Sequence, residues 1–336
     1  MAAAVTAPKK AVTTARRRVQ IPDTMIAEAI DRFGPPEVLT AHRRPVPSVS
    51  PNEVLISLRS AGVGNWDARI RDGSWALDKV RFPYVLGVDG AGIVAAKGSR
   101  VRRFDVGDRV WSYSYRPAKG GFYAEFVVVP SHDVGHLPDG VDLTHAGMVV
   151  ATALTAQQGI DDHLRVRGGE RVLIFGASGA VGTYAVQIAK LRGAHVIGTA
   201  TGRDAQELVQ RLGADAVVDA RDLRDLGRLK QIALDAILAT AGGDGLEHCI
   251  DLVRKRGRVA YPDGVEPPPK PRTEVSVGSF DAVPGAHELD RLAKLFLGAH
   301  LRIPIAAEYS LTHAADAHRR LERGRVLGRI GLRIRH

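Results

Sequence analysis

The sequence predicts an α/β protein in two parts, a barrel-like β domain followed by a doubly wound parallel sheet. Three observations predict it. The hydrophobic rhythm changes near residue 150 from short β-type runs to an alternation of strand and helix. A glycine-rich turn at Gly176 to Gly182 follows an apolar strand and opens an amphipathic helix. The length, 336 residues, exceeds one ordinary core and calls for two domains.

In chain order, the first strand-like run is Met25-Ile-Ala-Glu-Ala-Ile. It is followed by Glu53-Val-Leu-Ile-Ser-Leu-Arg-Ser, Gly92-Ile-Val-Ala-Ala, Asp108-Arg-Val-Trp and Ala124-Glu-Phe-Val-Val-Val-Pro130, punctuated by Gly and Pro. After Ala151 come the strand Arg171-Val-Leu-Ile-Phe, a helix over Val181 to Leu191, and the strand His195-Val-Ile-Gly-Thr-Ala. A helix to Leu212 and the strands Ala216-Val-Val, Asp235-Ala-Ile-Leu-Ala-Thr and Arg258-Val-Ala-Tyr complete the alternation, which is the signature of a parallel sheet covered by helices. Glu266 to Pro271 reads as a surface loop, Thr273 to Phe280 as a last strand, and the chain from Gly285 as helix, strand and helix.

Composition excludes several classes. Hydrophobic residues at 45% and charged residues at 25% rule out a disordered chain, and no apolar run is long enough to span a bilayer. The single cysteine, Cys249, can neither close an internal disulfide nor form a four-cysteine zinc site, which points to a reducing, cytoplasmic setting. The formal charge of +10 is partly concentrated before Asp23 and otherwise spread thinly, so a solvated basic surface accounts for it better than a nucleic-acid interface. Residues 1–24 lack a secretory h-region and read as a disordered extension ahead of Met25.

The run Gly176-Ala-Ser178-Gly179-Ala180-Val181-Gly182 carries the chemistry. Glycines there permit a tight turn and let backbone amides approach a pyrophosphate, while the helix start adds partial positive charge. An NAD site places an acid about 20 residues further on, at the tip of the second strand, to hold the ribose hydroxyls. This chain has Thr201-Gly-Arg203 there, a hydroxyl and a guanidinium suited to the 2′-phosphate of NADPH.

These residues resemble the medium-chain dehydrogenase/reductases, in their zinc-free quinone oxidoreductase branch. The likeness runs from Met25 nearly to the end. It includes Phe33-Gly-Pro-Pro-Glu-Val-Leu, Ala61-Gly-Val-Gly-Asn65-Trp66-Asp67, Leu86-Gly-Val-Asp-Gly-Ala-Gly-Ile-Val94 and Gly107-Asp-Arg-Val110. Gly121-Phe122-Tyr123-Ala-Glu-Phe126, Thr152-Ala-Leu-Thr155-Ala, Ala241-Gly242-Gly243 and Gly328-Arg-Ile follow in order. The resemblance implies a GroES-like catalytic domain from residues 25–150 and 283–336, and a Rossmann cofactor domain over 151–282. It further implies cofactor contacts at Asn65, Thr155, Gly242 and Gly243, and a homodimer paired through the edge strand Thr273 to Phe280.

The zinc-dependent branch needs a catalytic cysteine, histidine and carboxylate. Gly64 and Asn65 stand around the cysteine position and Val88 at the histidine, so no metal site is expected; His132 and His136 read as loop residues. Without a Lewis acid, an acceptor that delocalises the incoming charge itself is the suitable substrate, a quinone or enone. NADPH-dependent reduction of such a conjugated carbonyl is the expected activity. A 2-enoyl thioester reductase, a zinc-free alcohol dehydrogenase and an NADPH-binding redox sensor that contacts nucleic acid are the alternatives. The proton comes from solvent or from a tyrosine hydroxyl, Tyr113 or Tyr115, and Asp67 is a candidate for orienting substrate or the nicotinamide ribose, or for a helix pair with Arg71 four residues on. Trp66, Trp75, Phe122, Tyr123 and Phe280 are candidate aromatic walls for a flat acceptor.

Overall fold

The computed structural model describes residues 19–75, 80–115 and 117–335. The disordered extension expected over 1–24 therefore lies mostly outside the described residues. The chain runs through β1 (Thr24–Ile30), β2 (Leu39–Pro45), β3 (Glu53–Val63), α1 (Asn65–Asp72), β4 (Tyr84–Val85), β5 (Asp89–Lys97), β6 (Arg109–Tyr113), β7 (Phe126–Pro130) and β8 (Val134–His136). After α2 (Leu143–Ala146) and α3 (Val150–Gln158) come β9 (Arg171–Phe175), α4 (Gly182–Leu191), β10 (His195–Thr199), α5 (Arg203–Arg211) and β11 (Ala216–Val218). Then follow α6 (Leu223–Leu229), β12 (Leu234–Ala239), α7 (Asp244–Ile250), β13 (Val253–Pro262), β14 (Ser276–Phe280), α8 (Ala286–Ala299), β15 (Ile305–Ser310), α9 (Ala314–Glu322) and β16 (Arg329–Arg333).

Two large sheets carry the fold. One is ordered β15-β16-β3-β5-β6-β8 with β7 also on β3, and the other is ordered β11-β10-β9-β12-β13-β14. Every pairing in the second is parallel, and its order is that of a dinucleotide-binding doubly wound sheet. The order in which strands are added switches sides between β9 and β12, which opens a crevice beyond their carboxyl ends. A small third sheet, β2-β1-β4, flanks the first.

The strand periods explain the division. β3 is buried at all but two of its eleven positions because both its faces are covered within the barrel. α4 buries Tyr184, Ala185, Val186, Ile188 and Ala189 against the parallel sheet. A single apolar cluster joins Ala91, Trp111 and Leu137 of the barrel to α3, α4 and α8, so the two halves share one core and meet along the cleft.

Three sequence expectations shift. The last parallel strand begins at Ser276 rather than Thr273. His136 closes β8 instead of lying in a loop, and its ring packs on Phe104 at 4.8 Å. The chain beyond Gly285 also ends in a further strand, β16, whose place is fixed by antiparallel pairing with β3, far away in sequence.

That strand enters with a buried ion pair. Arg329 is 3% exposed and Asp89 fully buried; Nη2 donates to Asp89 Oδ1 at 3.3 Å and Nε to the Met148 carbonyl at 2.8 Å. The other carboxylate oxygen accepts from Ala151 N at 3.0 Å, at the start of α3. Gly62 makes room, since a Cβ there would stand 2.5 Å from both Arg329 and Asp89. Removing one member of a buried pair strands the other charge, so R329M should lower the unfolding free energy by roughly 3–5 kcal/mol in urea titrations, and D89N/R329M should recover part of that loss.

Candidate active site

The cofactor side of the cleft is built from strand ends. Beyond β9 the chain turns at Gly176 (φ +82°), whose N donates to Thr199 Oγ1 at 2.8 Å, while Ala177 N donates to the Thr199 carbonyl at 3.0 Å. The turn is thereby locked to the tip of β10. A Cβ at Gly182 would approach the Gly176 carbonyl to 2.2 Å, so only glycine lets α4 start that close. No side chain caps α4, which leaves the positive end of the helix available to an anion. A Cβ on Gly179 would find only one atom, at 3.4 Å, and one on Gly243 (φ +108°) nothing within 4 Å. The open turn and the uncapped start of α4 fit a dinucleotide, whose pyrophosphate the backbone of Ser178 to Val181 would hold. Gly242, by contrast, is pressed against the Pro267 carbonyl, 2.2 Å from where a Cβ would lie.

The glycine turn is tied to the other domain. Gly328 N donates to Ser178 O at 2.9 Å, just before β16. Across the cleft, α1 begins after Gly64 with Asn65 exposed and Trp66 half-buried, its ring 4.7 Å from the Arg329 guanidinium carbon. Trp75 stacks under Arg69 at 5.0 Å and reaches Gly264 of the cofactor domain, where a Cβ would lie 3.3 Å from its ring. Tyr113, half-buried at the end of β6, stands opposite Asp89 in register. Burial first, then the charges of Asp89 and Asp281, hold its phenol far above the ordinary tyrosine range, so it remains a proton carrier at any physiological pH. Tyr115 is 42% exposed, at the surface.

Several expectations need correction. Asp67 is wholly buried and touches neither cleft nor Arg71: its Oδ2 accepts from Gly64 N at 2.8 Å, closing the N-terminus of α1. Burial, only partly offset by that hydrogen bond and by Arg329, raises its carboxyl to about 7. Arg71 turns away, with Nη2 on Glu322 Oε1 at 2.6 Å and Nη1 on His318 Nδ1 at 3.1 Å. An arginine only donates, so His318 Nδ1 accepts and Nε2–H donates to the Tyr123 hydroxyl at 3.1 Å. Burial and Arg71 lower His318 to about 3, consistent with that neutral form. Tyr123 and Phe122 are therefore barrel core, each wholly buried, and not pocket walls. Phe280, 4% exposed, stacks on His163 at 4.3 Å and likewise faces the interior. Thr155 spends its hydroxyl on the Ala151 carbonyl at 2.7 Å within α3.

The ribose end differs as well. Thr201 Oγ1 donates to Asp219 Oδ1 at 3.0 Å, and Arg203, 90% exposed, has its Nε on Glu207 at 2.8 Å along its own helix. Sequence spacing missed Asp219 because this acid arrives from the next strand, β11, rather than from the tip of β10.

A catalytic zinc does not fit the donors at the corresponding position. Gly64 has no side chain and a Cβ there would fall 2.5 Å from the Trp66 ring; Val88 is apolar, and Asp89 is committed to Arg329 and Ala151. Among the described residues no three His, Cys, Asp or Glu side chains gather as a metal set.

Comparison with known proteins agrees with this geometry. Residues 50–139 match the alcohol dehydrogenase GroES-like domain family and residues 180–276 the zinc-binding dehydrogenase family. The mouse (Mus musculus) NAD(P)H oxidoreductase RTN4IP1, mitochondrial, is 32% identical over 96% of this chain and 91% of its own. The chain belongs to the medium-chain dehydrogenase/reductase superfamily. Its quinone oxidoreductase-like character follows from relatives such as the quinone oxidoreductase of Pseudomonas aeruginosa, 31% identical over 88% of this chain and 95% of that one. Among solved structures, an NAD-dependent alcohol dehydrogenase superposes with TM-score 0.84 at 29% identity, over 93% of this chain and 100% of that chain. A mycobacterial protein complexed with NADPH gives 0.81 at 26%, over 92% and 100%. The chain is accordingly an oxidoreductase with a GroES-like domain and a Rossmann-type sheet.

The buried carboxyl of Asp67 gives a testable signature. Its raised value means that the folded protein keeps a proton which the unfolded chain releases near the ordinary value of 3.8. Its contribution is fully present below that value and is lost as pH rises toward 7. Glu28, also buried and raised to about 7, adds a slope of the same sign. D67N should flatten the fall in unfolding free energy between pH 4 and 7 by roughly 1–4 kcal/mol while keeping an acceptor for Gly64 N, as read by denaturant titration at each pH.

Proposed function

We propose that the protein is an NADPH-dependent reductase of a conjugated carbonyl, a quinone or enone, working without a metal. The single observation that carries the reading is the glycine turn at the uncapped start of α4, where a Cβ on Gly179 would meet only one atom within 4 Å. The relatives named NAD(P)H oxidoreductase and quinone oxidoreductase, and the NADPH complex of a similar structure, support it.

The dinucleotide, when bound, supplies a hydride at the nicotinamide ring. The chain supplies the rest. The uncapped start of α4 and the glycine turn hold the pyrophosphate. The shared interdomain core excludes water from the reacting end, and the tryptophan faces orient a flat acceptor. A conjugated acceptor spreads the incoming negative charge onto its own oxygen, which suits a site with no Lewis acid. Tyr113, kept protonated by burial and by Asp89 and Asp281, is the side chain we assign to give that oxygen a proton, with solvent the alternative source. Chelator-treated protein should consume NADPH with quinones or enones; turnover confined to enoyl thioesters or to simple aldehydes, or dependence on added zinc, would replace this reading. Y113F should then lower kcat by about 10²-fold or more if the phenol is the donor, and little if solvent is.

We also propose a homodimer through β14. It is the edge of the parallel sheet, with Ser276, Gly278 and Ser279 exposed, and an unpaired edge invites a second copy. Sedimentation at micromolar concentration should give twice the monomer mass; a monomeric mass would remove the proposal.

A further inference from the structure

An acid from the end of the third parallel strand, Asp219, stands beside the tip of the second, the region an adenosine ribose would occupy. Thr199 ends β10 and is bonded to the glycine turn, so the residues directly after it, Ala200 to Arg203, face the same crevice as the pyrophosphate cradle. The parallel pairing Thr199↔Val218 brings the first residue beyond β11, Asp219, level with them, and Ala200 N donates to Val218 O at 3.0 Å to fix the register.

Asp219 is held in a defined orientation. Its own N donates to Asp225 Oδ2 at 3.0 Å, and its Oδ1 accepts both the Thr201 hydroxyl and Arg221 N at 3.0 Å. Both of these carboxylate partners are uncharged donors. The Thr201 hydroxyl has one proton, and that proton is directed at Asp219, so Thr201 has none to give a phosphate in this arrangement. Arg203, two residues after Thr201, is engaged along its own helix with Glu207. In a Rossmann sheet a carboxylate in this region accepts the ribose hydroxyls and repels a 2′-phosphate. Here the second strand brings no acid and the third strand supplies one.

Resting on the dinucleotide reading above, we propose that Asp219 is a specificity-determining residue. Its carboxylate accepts an adenosine ribose hydroxyl and opposes the 2′-phosphate, so the protein binds NADH alongside NADPH and discriminates between them less than Thr201 and Arg203 alone would allow. The opposition is coulombic. A unit negative charge within about 6 Å of a dianion in a solvated groove is worth roughly tenfold in affinity, and salt screens it.

The test is equilibrium binding of NADPH and NADH, followed by tryptophan fluorescence and calorimetry, for the wild type, D219N, D219S and R203Q. Asn keeps an acceptor for Thr201 and Arg221 N, and Ser checks that any effect belongs to the lost charge. The expected result is an NADPH affinity that tightens about tenfold in D219N and D219S, an NADH affinity that is equal or weaker, and a gain that shrinks as ionic strength rises. R203Q should weaken NADPH alone. A ratio of NADPH to NADH affinity in both Asp219 variants within twofold of the wild type, with unchanged unfolding midpoints, overturns the role of Asp219 while leaving the dinucleotide reading intact. Binding of neither nucleotide by the wild type overturns both.

Discussion

The buried contact between Asp89 and Arg329 is the constraint on which the rest depends. Four parts of the chain converge on it: β5 through Asp89, β16 through Arg329, the start of α3 through Ala151 N, and α1 through the Trp66 ring. Charges in an apolar interior are tolerated only when paired and fully hydrogen-bonded, and the Met148 carbonyl completes the set. The pair therefore sets how the last strand closes the barrel and where α3 leaves it. Because Gly328 immediately precedes Arg329 and its N donates to Ser178 O, the same contact ties the glycine turn to the barrel.

That coupling explains why the cleft needs both chain ends. The parallel sheet alone offers a crevice and an anion site but no substrate wall. The barrel alone offers aromatic side chains but nothing to hold a pyrophosphate. The shared apolar cluster across Trp111, α3, α4 and α8 fixes their separation.

The fold was largely legible in the sequence, because strand and helix periods and the glycine spacing are local signals. β9 spans the same residues as the apolar run Arg171 to Phe175, and α4 begins one residue inside the predicted start. What was not legible depended on distant contacts. Phe122 and Tyr123 read as pocket aromatics because composition cannot distinguish an aromatic that lines a cleft from one whose partner is His318, about two hundred residues later. Asp67 read as a site acid because a capping carboxylate and a substrate-facing one look alike until burial is known. Asp219 lay hidden because the spacing rule looks along one strand, whereas the acid is delivered across the sheet.

The fate of Asp67 also narrows where a proton can come from. Near it a hydrogen-bonded chain runs from Tyr123 through His318 to Arg71 and Glu322, and the arginine in that chain has no lone pair to pass a proton on. Tyr123 is held protonated by burial and by the neighbouring carboxylate, with its hydroxyl beside Asp67. The network thus immobilises the start of α1, and through it Asn65 and Trp66, without forming a proton path to solvent. Of the two candidate tyrosines, Tyr113 is half-buried with the charges of Asp89 and Asp281 acting on it, while Tyr115 is exposed.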